Sequence, residues 1–122
     1  MAKIMIVDDE VDTIQLTERI LKRAGYQTCV AEDGQKAIEL LPQEKPDLIL
    51  MDILMPGMDG VKAVEELQKN KLTQDIPIIV ISGAGGEMDL MKGLLIGPVG
   101  YIDKPFNPKK LLYQIEVQLK KK

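Results

Sequence analysis

Four places in this 122-residue chain put a reactive side chain directly behind a short apolar run. Asp8, Asp9 and Glu10 follow "KIMIV", Asp52 follows "DLILM", Ser82 follows "PIIVI", and Lys104 closes "VGYID". A carboxylate at the margin of an apolar layer is costly unless something compensates it. Asp52 is therefore either a local turn residue or part of a site that needs its charge. Gathered together, Asp8, Asp9, Asp52 and Lys104 carry a net charge of −2. A Mg²⁺ ion balances that charge and prefers oxygen ligands. A carboxylate is also a known nucleophile towards phosphorus. A phosphoryl group on Asp52 would bring acceptor oxygens for the metal, for Lys104, and for Ser82 with nearby backbone N–H groups.

These side chains act together only if the elements carrying them converge. Strands are expected at Lys3–Val7, Gln27–Ala31, Asp47–Met51, Pro77–Ile81 and Val99–Asp103. Between them run segments of helical period. The first spans about Glu10 to Ala24, with Thr13, Leu16, Thr17, Ile20 and Ala24 as its core stripe and Gly25 as its stop. A short helix covers Gly34–Leu41 and is closed by Pro42. Others are expected over Asp59–Asn70, Glu87–Leu95 and Pro108–Leu119. Apolar strands alternating with helices imply an α/β fold, a parallel sheet covered on both faces. A doubly wound sheet of order 2-1-3-4-5 fits five strands, and such sheets place their site at the carboxyl ends of the strands. That is where the acids, the hydroxyl and the lysine fall.

Composition narrows the functions available. The chain has the size of one domain and no apolar run long enough to span a bilayer. Its N-terminus turns acidic too early for a signal peptide, and a cytoplasmic location is expected. One cysteine, Cys29, excludes an internal disulfide and reads as a small core residue. The absence of histidine excludes histidine-based triads and metal sites. Residues 1–60 hold 12 acidic and 6 basic side chains, residues 61–122 hold 7 and 10. The only basic cluster is Lys120–Lys122 at the end of the chain, so nucleic acid is not an expected partner.

With these residues in view, the chain resembles the receiver domains of two-component response regulators. "IVDDE" at 6–10, "DLILMDILMPGMDG" at 47–60, the serine of "VISG" at 80–83 and "YIDKPF" at 101–106 fall in that family's order and spacing, and the match covers nearly the whole chain. The resemblance implies a flavodoxin-like fold and a single receiver domain over residues 1–122 with no output domain. It implies that Asp52 accepts a phosphoryl group from a phosphohistidine on a histidine kinase or phosphotransfer protein. Asp9, Asp52 and the Leu54 carbonyl match the family's Mg²⁺ ligands, and Asp8 matches the partner of metal-bound water. Ser82 and Lys104 match the phosphate-binding pair, and Ser82 and Tyr101 the switch pair. Lys104–Pro105 matches a bond that is usually cis. The domain would catalyse its own modification rather than turn over a metabolite. It would work as a monomer or weak dimer, signalling to a downstream protein through the fourth helix, fifth strand and last helix.

The sequence also departs from the family pattern. Gly83, Gly85 and Gly86 crowd the segment after Ser82, which predicts a loop that orders when phosphate is bound. Pro98 stands where the family commonly has alanine, which puts the end of the fourth helix in question. Leu54 and Ala84 cannot hydrogen-bond an attacking water, so slow-to-intermediate hydrolysis of the phosphate is expected. Val11 and Ile14 fall off the expected core stripe of the first helix and are candidates for docking the phosphodonor. Two other readings stay open: a Mg²⁺-dependent phosphohydrolase, though Leu54 stands where such enzymes usually carry a second aspartate, and a receiver-like scaffold that is not phosphorylated.

Overall fold

The computed structural model describes residues 2–52, 67, 69–71, 74–82, 99–103 and 107–120. Most of the helix expected at Asp59–Asn70, the helix expected at Glu87–Leu95, the glycines after Ser82, and Leu54, Ala84, Pro98, Lys104 and Pro105 lie outside these residues. Leu67 and Lys69 are helical.

Five strands form one parallel sheet: β1 (Lys3–Val7), β2 (Gln27–Ala31), β3 (Leu48–Asp52), β4 (Ile78–Ser82) and β5 (Val99–Asp103), in the order β2-β1-β3-β4-β5. The expected topology holds. β3 and β4 each sit one residue later than the apolar runs alone suggested, so Asp52 and Ser82 are the last residues of their strands.

Alternation along the strands builds two cores. Met5, Val7, Ile49, Met51, Ile78 and Val80 face one side, with Ala31, Ala37 and Leu67. Ile4, Ile6, Leu48, Leu50, Ile79, Ile81 and Ile102 face the other, with Leu21, Leu111 and Ile115. Helix α2 (Gly34–Glu44) therefore covers the first face, and α1 (Val11–Arg23) and the last helix (Pro108–Lys120) cover the second. β1, β3 and β4 are buried on both sides, which is why their sequences read as apolar runs, whereas β2 is only partly buried.

The helix ends explain themselves. Glu10 precedes α1 in extended conformation, and its carboxylate accepts from Thr13 Oγ1 at 2.7 Å. At the other end Gly25 takes φ 95°, donates to the Lys22 carbonyl at 3.0 Å, and lets the Tyr26 N–H reach the Leu21 carbonyl at 3.0 Å. This paired closure needs a left-handed residue, which glycine supplies without strain.

Two expectations are corrected. The inward face of α1 carries Ile14, Thr17, Ile20 and Leu21, while Leu16 is 50% exposed and Ala24 is exposed. At 100° per residue the stripe lies about one position away from the expected one. Nor does Pro42 close α2, which runs on to Glu44. Proline has a helical φ and removes only one donor late in the helix, and the Lys45 N–H still reaches the Leu41 carbonyl at 3.0 Å. The helix stops at Lys45, which is left-handed at φ 46° and is followed by Pro46.

Candidate functional site

The carboxyl ends of β1 and β3 bring two acids to one edge of the sheet. Val7 is in register with Met51, so Asp8 and Asp52 each stand one residue further along neighbouring strands. By alternation they continue the Ile4–Ile6 and Leu48–Leu50 rows, on the face that α1 covers. Both are nearly sealed from solvent, Asp8 at 2% exposure and Asp52 at 4%. Asp9 is exposed.

Asp8 is fixed from both sides of its backbone. Its N–H donates to the Ala31 carbonyl at 3.1 Å, extending the β1–β2 ladder. Its Oδ1 accepts from the Glu10 N–H at 3.0 Å. This local bond orients the carboxylate where α1 begins, although Asp8 itself is not the N-cap. The Ala31 carbonyl and Glu10 amide were not foreseen as parts of the site. The spacing that signals them is the row Ile4, Ile6, Asp8, which turns the eighth residue inward and the ninth outward.

β4 and β5 complete the edge. Asp52 is in register with Ile81, so Ser82 follows one residue beyond Asp52's neighbour. Ser82 is in register with Asp103, and Tyr101 with Val80. Lys104 comes immediately after Asp103 in sequence and lies outside the described residues, as does Leu54. The structure thus gathers Asp8, Asp52 and the backbone of Ser82 at one edge.

Buried carboxylates demand compensation by hydrogen bonds or cations. A hard, oxygen-seeking cation fits a donor set of aspartates of this kind. Among the described residues no three acidic or thiol side chains form a metal cluster by themselves.

Val11 and Ile14, the candidate docking residues, part company. Val11 is 64% exposed at the first turn of α1, close in sequence to the acids. Ile14 packs partly against the second core. The exposed apolar residues on α1 are Val11 and Leu16.

Comparison with known proteins agrees with this geometry. A family model described as the response regulator receiver domain matches residues 4–116. The phosphate regulon transcriptional regulatory protein PhoB of Pseudomonas aeruginosa is 38% identical over 97% of this chain, and the match covers 52% of that protein. The chain thus spans about half the length of the curated relatives it matches. A putative response regulator from Chloroflexus aurantiacus superposes with a TM-score of 0.86 at 29% identity, covering 98% of both chains. The receiver domain of sensor histidine kinase PA1611 from Pseudomonas aeruginosa, solved with magnesium coordinated in its active-site cleft, gives 0.85 at 26% identity, again over 98% of both chains.

Proposed function

Because this chain belongs to the response regulator receiver domain family of two-component systems, whose members are phosphoacceptors, we propose that Asp52 is its phosphorylation site. The observation that carries this reading is the pair of buried acids, Asp8 and Asp52, at the carboxyl ends of adjacent strands. Buried carboxylates at a strand-end edge are candidates for chemistry, since burying a charge is costly and such groups cluster at functional sites.

An Asp52 oxygen attacks the phosphorus of a phosphohistidine. The O–P bond forms as the P–N bond breaks, and the imidazole leaves with the electron pair. Asp9, Asp52 and the Leu54 carbonyl would hold Mg²⁺, with Asp8 binding one of its waters. When bound, the ion screens the repulsion between nucleophile and phosphoryl oxygens. Asp8 is oriented for its part by the Glu10 amide. Lys104 and Ser82 bind the product's phosphoryl oxygens, and Ser82 with Tyr101 carries the change to the surface of the fourth helix, fifth strand and last helix. A few new charge-assisted hydrogen bonds suffice to shift a population between two states. The donor is a cytoplasmic histidine kinase or phosphotransfer protein, docked near Val11. Among the described residues no helix is long and apolar enough to cross a membrane.

The test is labelling by acetyl phosphate with and without Mg²⁺. Uptake that needs Mg²⁺, disappears in Asp52→Asn and is cleaved by hydroxylamine supports the reading. Undiminished labelling of Asp52→Asn would place the acceptor elsewhere.

A further inference from the structure

β2 lies at the end of the sheet order, so among the described residues one of its sides has no strand beside it. The ladder fixes which groups point that way. The Gln27 N–H donates to the Ala2 carbonyl and the Ala31 carbonyl accepts from the Asp8 N–H. Residues 27, 29 and 31 therefore turn their backbone groups to β1, and Thr28 and Val30 turn theirs outward. Sheet edges are commonly blunted by charge, proline or a bulge. "QTCVA" has no charged residue and no proline, and it pairs residue for residue with β1 without a bulge.

Beside the strand, the Glu18 carboxylate of α1 accepts from Thr28 Oγ1 at 2.8 Å and is bridged by Lys22 at 3.7 Å. The unbridged charges lie at its two ends. Arg23 closes α1 just before it, and Glu32 follows it; Arg23 and Glu32 are exposed and have no ion-pair partner among the described residues. An antiparallel strand laid on this edge sets basic end against acidic end. A second copy of the same chain has that complement built in.

We infer that β2 is a self-association edge, on which two copies pair antiparallel about Cys29 to form one continuous ten-stranded sheet. Thr28 of each copy faces Val30 of the other, and both pairs exchange N–H···O bonds. The Cys29 residues meet as a non-hydrogen-bonded pair on the axis. Glu32 of one copy comes to the turn beside Arg23 of the other. The contact is small and made mostly of backbone hydrogen bonds, so it is weak and depends on concentration.

Sedimentation from micromolar to millimolar concentration, with amide exchange at both extremes, tests this. The expected result is a monomer–dimer equilibrium in which the Thr28 and Val30 amides gain protection on dimerising and the Cys29 amide does not. Val30→Pro removes an outward N–H and leaves the β1 ladder intact, and should weaken association roughly tenfold or more, with its fold checked by circular dichroism. Arg23→Glu, which lies outside the sheet, should also weaken it, and adding Glu32→Arg should restore it. A monomer at every concentration overturns the inference. So does a dimer indifferent to both Val30→Pro and Arg23→Glu, or a charge swap that fails to restore pairing.

Discussion

Asp8 and Asp52 stand side by side at the carboxyl ends of β1 and β3, one step beyond the paired Val7 and Met51, and both are almost fully buried. Two negative charges held at one sheet edge repel each other unless a cation joins them. Asp8→Asn removes one of these two charges. The amide oxygen still accepts the Glu10 N–H, so the local fold is kept. The gain in melting temperature on adding Mg²⁺, large in the parent, should shrink in the variant. Thermal melts with and without Mg²⁺ check this, and an unchanged Mg²⁺ response would remove Asp8 from the metal's surroundings.

The two sides of α1 make separable predictions. Ile14 is packed against the core, whereas Val11 and Leu16 are exposed. Ile14→Glu should destabilise the fold by about 2 kcal/mol or more through a charge forced into an apolar layer, lowering every activity at once. Val11→Glu should leave stability and acetyl phosphate labelling unchanged and slow transfer from the native kinase. Comparing the two donors on each variant decides it. Normal kinase transfer in Val11→Glu would move the docking surface away from that end of α1.

Gln118 occupies a core-facing position of the last helix at 5% exposure, and its Oε1 has no hydrogen-bond partner among the described residues. A buried acceptor without a partner costs about 1–3 kcal/mol. Gln118→Leu, similar in volume, should therefore stabilise the protein by about 1 kcal/mol. Urea unfolding reads this as a higher midpoint at unchanged slope. A lower midpoint would mean that the side chain makes bonds that leucine cannot replace.

Much of this molecule is legible in its sequence because strand-ending residues carry both the fold and the chemistry. The buried runs before Asp8, Asp52 and Ser82 are apolar for one reason, a sheet covered on both faces, and that sheet delivers the site to one edge. The phase of α1 was less legible. Thr13, Leu16 and Ala24 satisfy helical spacing as well as Ile14 and Leu21 do, and only docking on the sheet selects between two adjacent stripes. Pro42 misleads for a different reason: proline's φ is helical, and near the end of α2 it removes only one donor from the ladder. The inward turn of Asp8 could have been read from the alternation Ile4, Ile6, Asp8. Its anchoring by Glu10 and Ala31 depends on register, which composition does not encode.

Cys29 gives the protein a measurable alkaline limit. Its side chain packs partly against the first core, and this burial pushes the thiol from 9.0 up to about 11. The Glu44 carboxylate adds to the rise and the Lys3 ammonium, bridged to Glu44 at 3.0 Å, opposes it. Between these two values the unfolded chain has released the thiol proton and the folded chain still holds it. Raising the pH therefore favours unfolding: stability from this group is intact below about pH 9 and is lost as the pH climbs through about 11. The loss should be about 1–2 kcal/mol once partial exposure is allowed for. Lysine and tyrosine also titrate in this range, so the comparison is with Cys29→Ala, whose urea midpoint should fall less steeply over the same interval. Iodoacetamide should alkylate Cys29 slowly in the folded protein at pH 8 and rapidly in urea, because the thiolate is the reacting form. Equal alkaline slopes for the two proteins, with fast alkylation of the native one, would show that the thiol is not held among the core side chains of β2 and α2.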